Sequence, residues 1–162
     1  MRAPRPGSSA GLRRRFPTGP LLTDLWAVCL AGCGGGAPFT IVPVSGKVMY
    51  SDRSLIRADR IVVTFVPQGV EAAGKDAAAP ATGDVNVTDG SFAGLTTQKH
   101  HDGAIVGRHK VLVQAFKTGP AGVGEPIAAV PRKYAKAATT PLEFEVPSGG
   151  KDDCELLIDK TP

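Results

Sequence analysis

The sequence predicts an all-β fold, a seven-stranded antiparallel β-sandwich of immunoglobulin-like size over residues 41–160. Three observations carry this. Short apolar runs alternate with polar residues at the strand period of two. Glycine, proline and Asp/Asn clusters break those runs at sandwich-like spacing. No stretch supports a long helix, and no run of about 18 apolar residues offers a conventional membrane span.

Each element has its own signal. Val44-Ser45-Gly46-Lys47-Val48-Met49-Tyr50 places Val44, Gly46, Val48 and Tyr50 on one face. Ser51-Asp52-Arg53-Ser54 is turn chemistry. Residues 60–66 hold the β-branched run IVVTFV, apolar on both faces and stopped by Pro67, which predicts a central strand. Gln68 to Pro80 reads as a long loop, and Ala81 to Val87 as a weaker strand. Asp89-Gly90 predicts a tight primed hairpin, because both central positions of that turn need φ > 0. Ser91 to Thr97 returns with Phe92 inward, and Lys99 to Asp102 is a polar loop. Arg108 to Phe116 is the next strand. The connection from Lys117 to Thr140 is too long to lack structure, which predicts a short helical turn at Pro131 to Lys136. Leu142, Phe144 and Val146 alternate with Glu143 and Glu145, and Cys154, Leu156 and Ile158 alternate with Glu155 and Asp159. Most of Phe39, Tyr50, Phe65, Phe92, Phe116, Tyr134 and Phe144 fall on expected core faces, and a sandwich of this size needs them inside.

The N-terminal segment reads differently. Residues 1–19 form a long basic n-region, in which Arg13-Arg14-Arg15-Phe16 weakly echoes a twin-arginine signal. Residues 20–32, PLLTDLWAVCLAG, have the length of a signal h-region, with Asp24 near its start. Leu30-Ala31-Gly32-Cys33 then resembles the bacterial lipobox. In that chemistry the Cys33 thiol accepts a diacylglyceryl group, and a peptidase that requires small residues cuts before it. Residues 1–32 are thus expected to be a lipoprotein signal peptide, and 33–40 a lipidated cysteine on a glycine-rich tether. Ordinary secretory cleavage near Gly32 is the competing reading. Gly34 stands where an inner-membrane retention signal has Asp, which favours the outer membrane.

The formal charge of +4 belongs to the N-terminal segment and not to the chain expected after cleavage. Arg2, Arg5, Arg13, Arg14 and Arg15 against Asp24 account for the whole excess, and basic and acidic residues are equal in number after residue 32. A nucleic-acid partner is therefore not expected. The three cysteines, Cys29, Cys33 and Cys154, match no zinc spacing and no disulfide framework, and Cys154 is expected as a small buried apolar side chain.

No catalytic constellation stands out. His100-His101-Asp102 reads as a solvated loop and His109 as a sheet-surface residue. Ser148 sits in a turn, without a G-x-S-x-G context. Gly119 to Gly124 lacks the lysine and the strand-to-helix setting of a phosphate loop. Asp84 and Asp89, or Asp152 and Asp153, lack calcium-loop spacing. No metal and no cofactor are expected. Sugar sites use exposed aromatic platforms, and the sole tryptophan, Trp26, lies in the signal.

A series of motifs runs through the domain: Val44-Ser45-Gly46-Lys47-Val48, Ile61 to Pro67, Thr88-Asp89-Gly90-Ser91-Phe92, Gly107 to Val111, Val130-Pro131-Arg132-Lys133-Tyr134, Pro141 to Val146 and Gly149-Gly150. Over residues 40–160 it resembles the short planctomycete-type bacterial lipoproteins with a carboxypeptidase regulatory-like, transthyretin-like domain. Asp52-Arg53-Ser54-Leu55 stands where that family has Asp-Gly-Lys-Pro-Leu, and Ile56 to Asp59 replaces its Pro-Gly-Ala turn. The resemblance implies a non-enzymatic, lipid-anchored cell-envelope protein. Its domain would serve interaction or structural support, with an envelope protein or glycan as partner, through loops 68–80 and 117–140. A carbohydrate-binding module is the alternative. A transthyretin-like hydrolase comes third, since the Tyr-Arg-Gly-Ser terminus of those enzymes is replaced here by Asp159-Lys160-Thr161-Pro162.

Overall fold

The structure is a computed structural model, and it describes residues 39–69, 78–119 and 124–160. These all lie in the second of two units into which the chain divides, Gly35–Pro162. No helix among the described residues is long and apolar enough to cross a membrane.

The fold is all-β. The strands are β1 (Ile41–Val42), β2 (Val44–Tyr50), β3 (Arg60–Pro67), β4 (Ala81–Val85), β5 (Ser91–Phe92), β6 (Ala104–Ile105), β7 (Gly107–Thr118), β8 (Gly124–Pro126), β9 (Glu143–Val146) and β10 (Lys151–Ile158). β1 and β6 form a two-stranded sheet. The other eight form one curled mixed sheet in the order β10-β2-β5-β4-β3-β7, with β8 and β9 both paired to β7. Seven of these ten correspond to the expected strands; β1, β6 and β8 are additional pieces of two or three residues.

β3 is central as its β-branched run implies, pairing β4 on one edge and β7 on the other. Ile61, Val63 and Phe65 are buried, whereas Val62, Thr64 and Val66 are only half-covered. β7 is long enough to serve three partners: β3 on one edge, and on the other β9 at Gly107–Lys110 and β8 at Phe116–Thr118. Phe65 meets the rings of Phe92 and Phe144 at 6.0 and 5.9 Å. Those two residues lie on strands on either side of β3, so the curl closes the sheet around Phe65.

Two expectations are corrected. The sheet is not wholly antiparallel: β10 runs parallel to β2, pairing Cys154 with Gly46 and Ile158 with Tyr50. Alternation tells which face of a strand is buried and is silent on the direction of its neighbour. The Asp89-Gly90 hairpin is not a primed two-residue turn. Only Gly90 has positive φ (+73°), and Asn86 N donates to Ser91 O across a four-residue loop. The side chains explain the wider turn, because Asn86 Oδ1 accepts from Thr88 N and Asp89 Oδ1 accepts from Ser91 N and Oγ.

The helical turn expected near Pro131 is a 3-10 turn, Arg132–Ala135. It buries Tyr134, whose hydroxyl donates to Asp159 Oδ2 (3.0 Å) and accepts from Asp159 N (2.9 Å). Lys133 Nζ reaches the same carboxylate oxygen at 2.5 Å, so this turn is clasped to the residue that follows β10.

Candidate functional site

A groove of about 1200 Å³ opens between the segment that follows β2 and the end of β7. One wall is the segment 54–59 between β2 and β3. Its floor includes Tyr50, Ile127 and Ala129, half-buried residues packed on the core. Tyr50 is fixed there by donating its hydroxyl hydrogen to Ala129 O at 2.6 Å. Arg57, Lys117 and Lys160 bring positive charge to the lining, and Leu55 and Val87 add exposed apolar surface.

The charges of the groove are not equivalent. Lys160 Nζ binds Asp52 Oδ2 at 2.5 Å and lies 5.4 Å from the centre of the Tyr50 ring. That contact, with the Ser54 hydrogen bonds, holds the Asp52 carboxyl well below the usual carboxylate range. Asp59, the acid of the lining, accepts from Thr118 N at 2.8 Å. Arg57 and Lys117 have no ion-pair partner among the described residues.

Segment 54–59 has a second property. Leu55 is exposed, Ile56 buried, Arg57 exposed and Ala58 half-buried, a strand-like alternation outside any strand. Its ends are tied, with Ser54 O accepting from Tyr50 N and Asp59 N donating to Phe116 O. Between those ties, the backbone groups of Leu55, Ile56, Arg57 and Ala58 have no hydrogen-bond partner among the described residues.

A smaller cleft of about 330 Å³ lies beside His109, Lys110, Glu143 and Phe144. His109 corrects the sequence reading: it is 1% exposed, inside the fold and not on the sheet surface. Its parity with Val111, Val113 and Ala115, all buried, was the available signal. Nδ1 lies 2.9 Å from Gly107 O, and a carbonyl only accepts, so Nδ1 carries the proton. Burial lowers its pKa below the ordinary 6.5, outweighing the Gly107 bond. Its one hydrogen-bond partner among the described residues is this carbonyl and not a carboxylate. Two acids line the cleft, Glu143 and Glu145, and Glu143 is held by Lys110 Nζ at 2.5 Å.

His100 and His101 do come together, because their loop bends: His101 has φ +60° and the rings stack at 3.7 Å. Both are exposed. Asp102 is turned away to hold the loop, its carboxylate accepting from the backbone N–H groups of Thr97, Gln98 and Lys99. Burial opposes the ionised form, and these three bonds outweigh it and lower the pKa. Asp84 pairs with Arg60, Asp89 caps its turn through Ser91, and Asp153 pairs with Lys151. Asp152 contributes its carbonyl as acceptor for Ser45 Oγ. No group of three His, Cys, Asp or Glu among the described residues is placed to hold a metal ion.

Ser148 lies in an exposed turn closed by Gly150 N to Pro147 O. Cys154 is buried, and desolvation pushes its thiol up to about 12. Leu30, Ala31, Gly32 and Cys33, with most of the tether, lie outside the described residues, as do residues 70–77 of the first long loop. The second long loop does reach the groove, through Lys117, Ile127 and Ala129.

No family model matches this chain, and no curated protein or solved structure matches it.

Proposed function

We propose that this is a lipid-anchored protein of the bacterial cell envelope, whose domain works by contact and not by catalysis. In this reading Cys33 carries the lipid, and the absence of a retaining Asp at Gly34 favours the outer membrane or its periplasmic face. The domain is a β-sandwich of the transthyretin-like, carboxypeptidase regulatory-like type, with its two layers formed by the curling of one sheet. The observation that carries the interaction role is the groove: an apolar floor, a charged lining and a wall whose backbone groups have no hydrogen-bond partner among the described residues. Around it, several polar clusters close a turn or clasp a loop. This is how a scaffold presents a binding face. The glycan alternative gains no support, since no Phe or Tyr side chain among the described residues is exposed and Lys160 lies near the ring of Tyr50.

The anchor is tested by intact-mass analysis of membrane fractions from cells expressing wild type and Cys33→Ser. The wild type is expected to carry diacylglyceryl mass on a chain beginning at Cys33, and the variant to carry none and leave the membrane fraction. Identical fractionation with no lipid mass would sink the anchor. Turnover on ester, peptide or glycan panels would sink the non-catalytic reading.

A further inference from the structure

We infer that the groove binds an extended acidic peptide segment of a partner protein, which adds its backbone along Leu55–Ala58. This rests on the reading of the domain as an interaction module and names the partner's chemistry.

Leu55 and Arg57 are exposed, and their backbone N–H and C=O groups have no hydrogen-bond partner among the described residues. Alternate residues of an extended segment turn these groups to the same edge, and an edge of this kind is completed by an added strand. Ile56, between them, is buried and holds the segment on the core. The apolar floor takes alternate side chains of the incoming segment. Arg57 and Lys117, without an ion-pair partner among the described residues, select acids at the remaining positions.

Charge also distinguishes the occupant. The N-terminal 32 residues of this chain carry five arginines against one aspartate, so they are repelled by this lining. A second copy carries as many basic as acidic residues after residue 32, and of the three acids of its β10, Asp153 and Glu155 already pair with Lys151 and Arg53. A separate partner with free carboxylates remains the best complement.

The test uses the full chain in detergent micelles. The probes are capped decapeptides alternating Glu or Asp with Val, Ile or Leu, and a matched library with Lys or Arg replacing the acids. Binding is followed by anisotropy, and backbone amide exchange is read at Leu55–Ala58. The acidic library is expected to bind and to slow exchange at those amides. Methylation of alternate peptide nitrogens should abolish the protection. The double variant Arg57→Glu, Lys117→Glu should weaken binding by about tenfold or more, with an unchanged urea midpoint. Equal binding of the basic library, binding without protection at Leu55–Ala58, or no binding would each overturn the proposal. So would concentration-dependent dimers that vanish in the double variant, since a second copy would then be the occupant. The lipid mass at Cys33 is read independently, so failure here is distinguishable from failure of the anchor.

Discussion

At the scale of the residue, charge is used mainly to set loop shapes. Asp52, Asp89 and Asp102 each accept hydrogen bonds from nearby backbone, and Asp159 receives Lys133 and Tyr134. His109 is the exception, a titratable ring inside the core beside Phe65. Its folded pKa is lowered, so the unfolded chain takes up the proton first as pH falls. Its contribution to stability is therefore whole above the ordinary value near 6.5 and is lost as pH drops from there through the folded pKa. A single proton contributes a slope of at most about 1.4 kcal/mol per pH unit. Urea midpoints measured from pH 7.5 to 5 should fall more steeply for wild type than for His109→Phe. Parallel curves would show that this ring does not titrate with unfolding.

At the scale of the element, the most demanding contact is the parallel pairing of β2 with β10. A Cβ on Gly46 would stand 1.9 Å from Cys154 O, a backbone atom of a packed strand that cannot swing aside. Gly46→Ala should therefore force the two strands apart and destabilise by roughly 3 kcal/mol, the upper part of the range for overpacking. The check is the urea midpoint at constant m value. A loss below about 0.5 kcal/mol would mean that the ladder yields without strain.

These elements show what the sequence makes legible. β3, β7 and β10 announce themselves, because burial of one face writes a period of two into Ile61-Val63-Phe65, Val111-Val113-Ala115 and Cys154-Leu156-Ile158. β8 does not, since Gly124, Glu125 and Pro126 are all exposed and are ordered by pairing with β7 alone. His109 was readable from parity and was obscured by its polarity. The groove was not readable, because Tyr50, Arg57, Lys117 and Ile127 are brought together by the curl of the sheet and share no local pattern. The turn at Asp52-Arg53-Ser54-Leu55 was visible, but not the backbone after it that has no partner among the described residues.

At the scale of the whole molecule, one cluster joins the inner residues of both ends of the sheet. β10 contributes Cys154, Leu156 and Ile158, all at 3% exposure or less. Burying a leucine or isoleucine is worth about 1.5–3 kcal/mol, a large share of a total stability of about 5–15 kcal/mol. A chain stopped after Val146 should therefore show no cooperative urea transition. A sigmoidal transition with the wild-type m value would show that β10 is dispensable to the core.

The pairing of β2 with β10 also has a consequence in time. Ser45 and Asp152, joined across it, are 107 residues apart. On a ribosome adding about 5–20 residues per second, β2 emerges roughly 5–20 s before the strand that covers it. For that interval Val44 and Val48 and one backbone edge of β2 lack their final cover, long after local turns have formed. A chain built this way is exposed to chaperones and to its own neighbours until nearly all of the domain has been made. Its vulnerable period is set by the order of its strands, not by the strength of the finished fold.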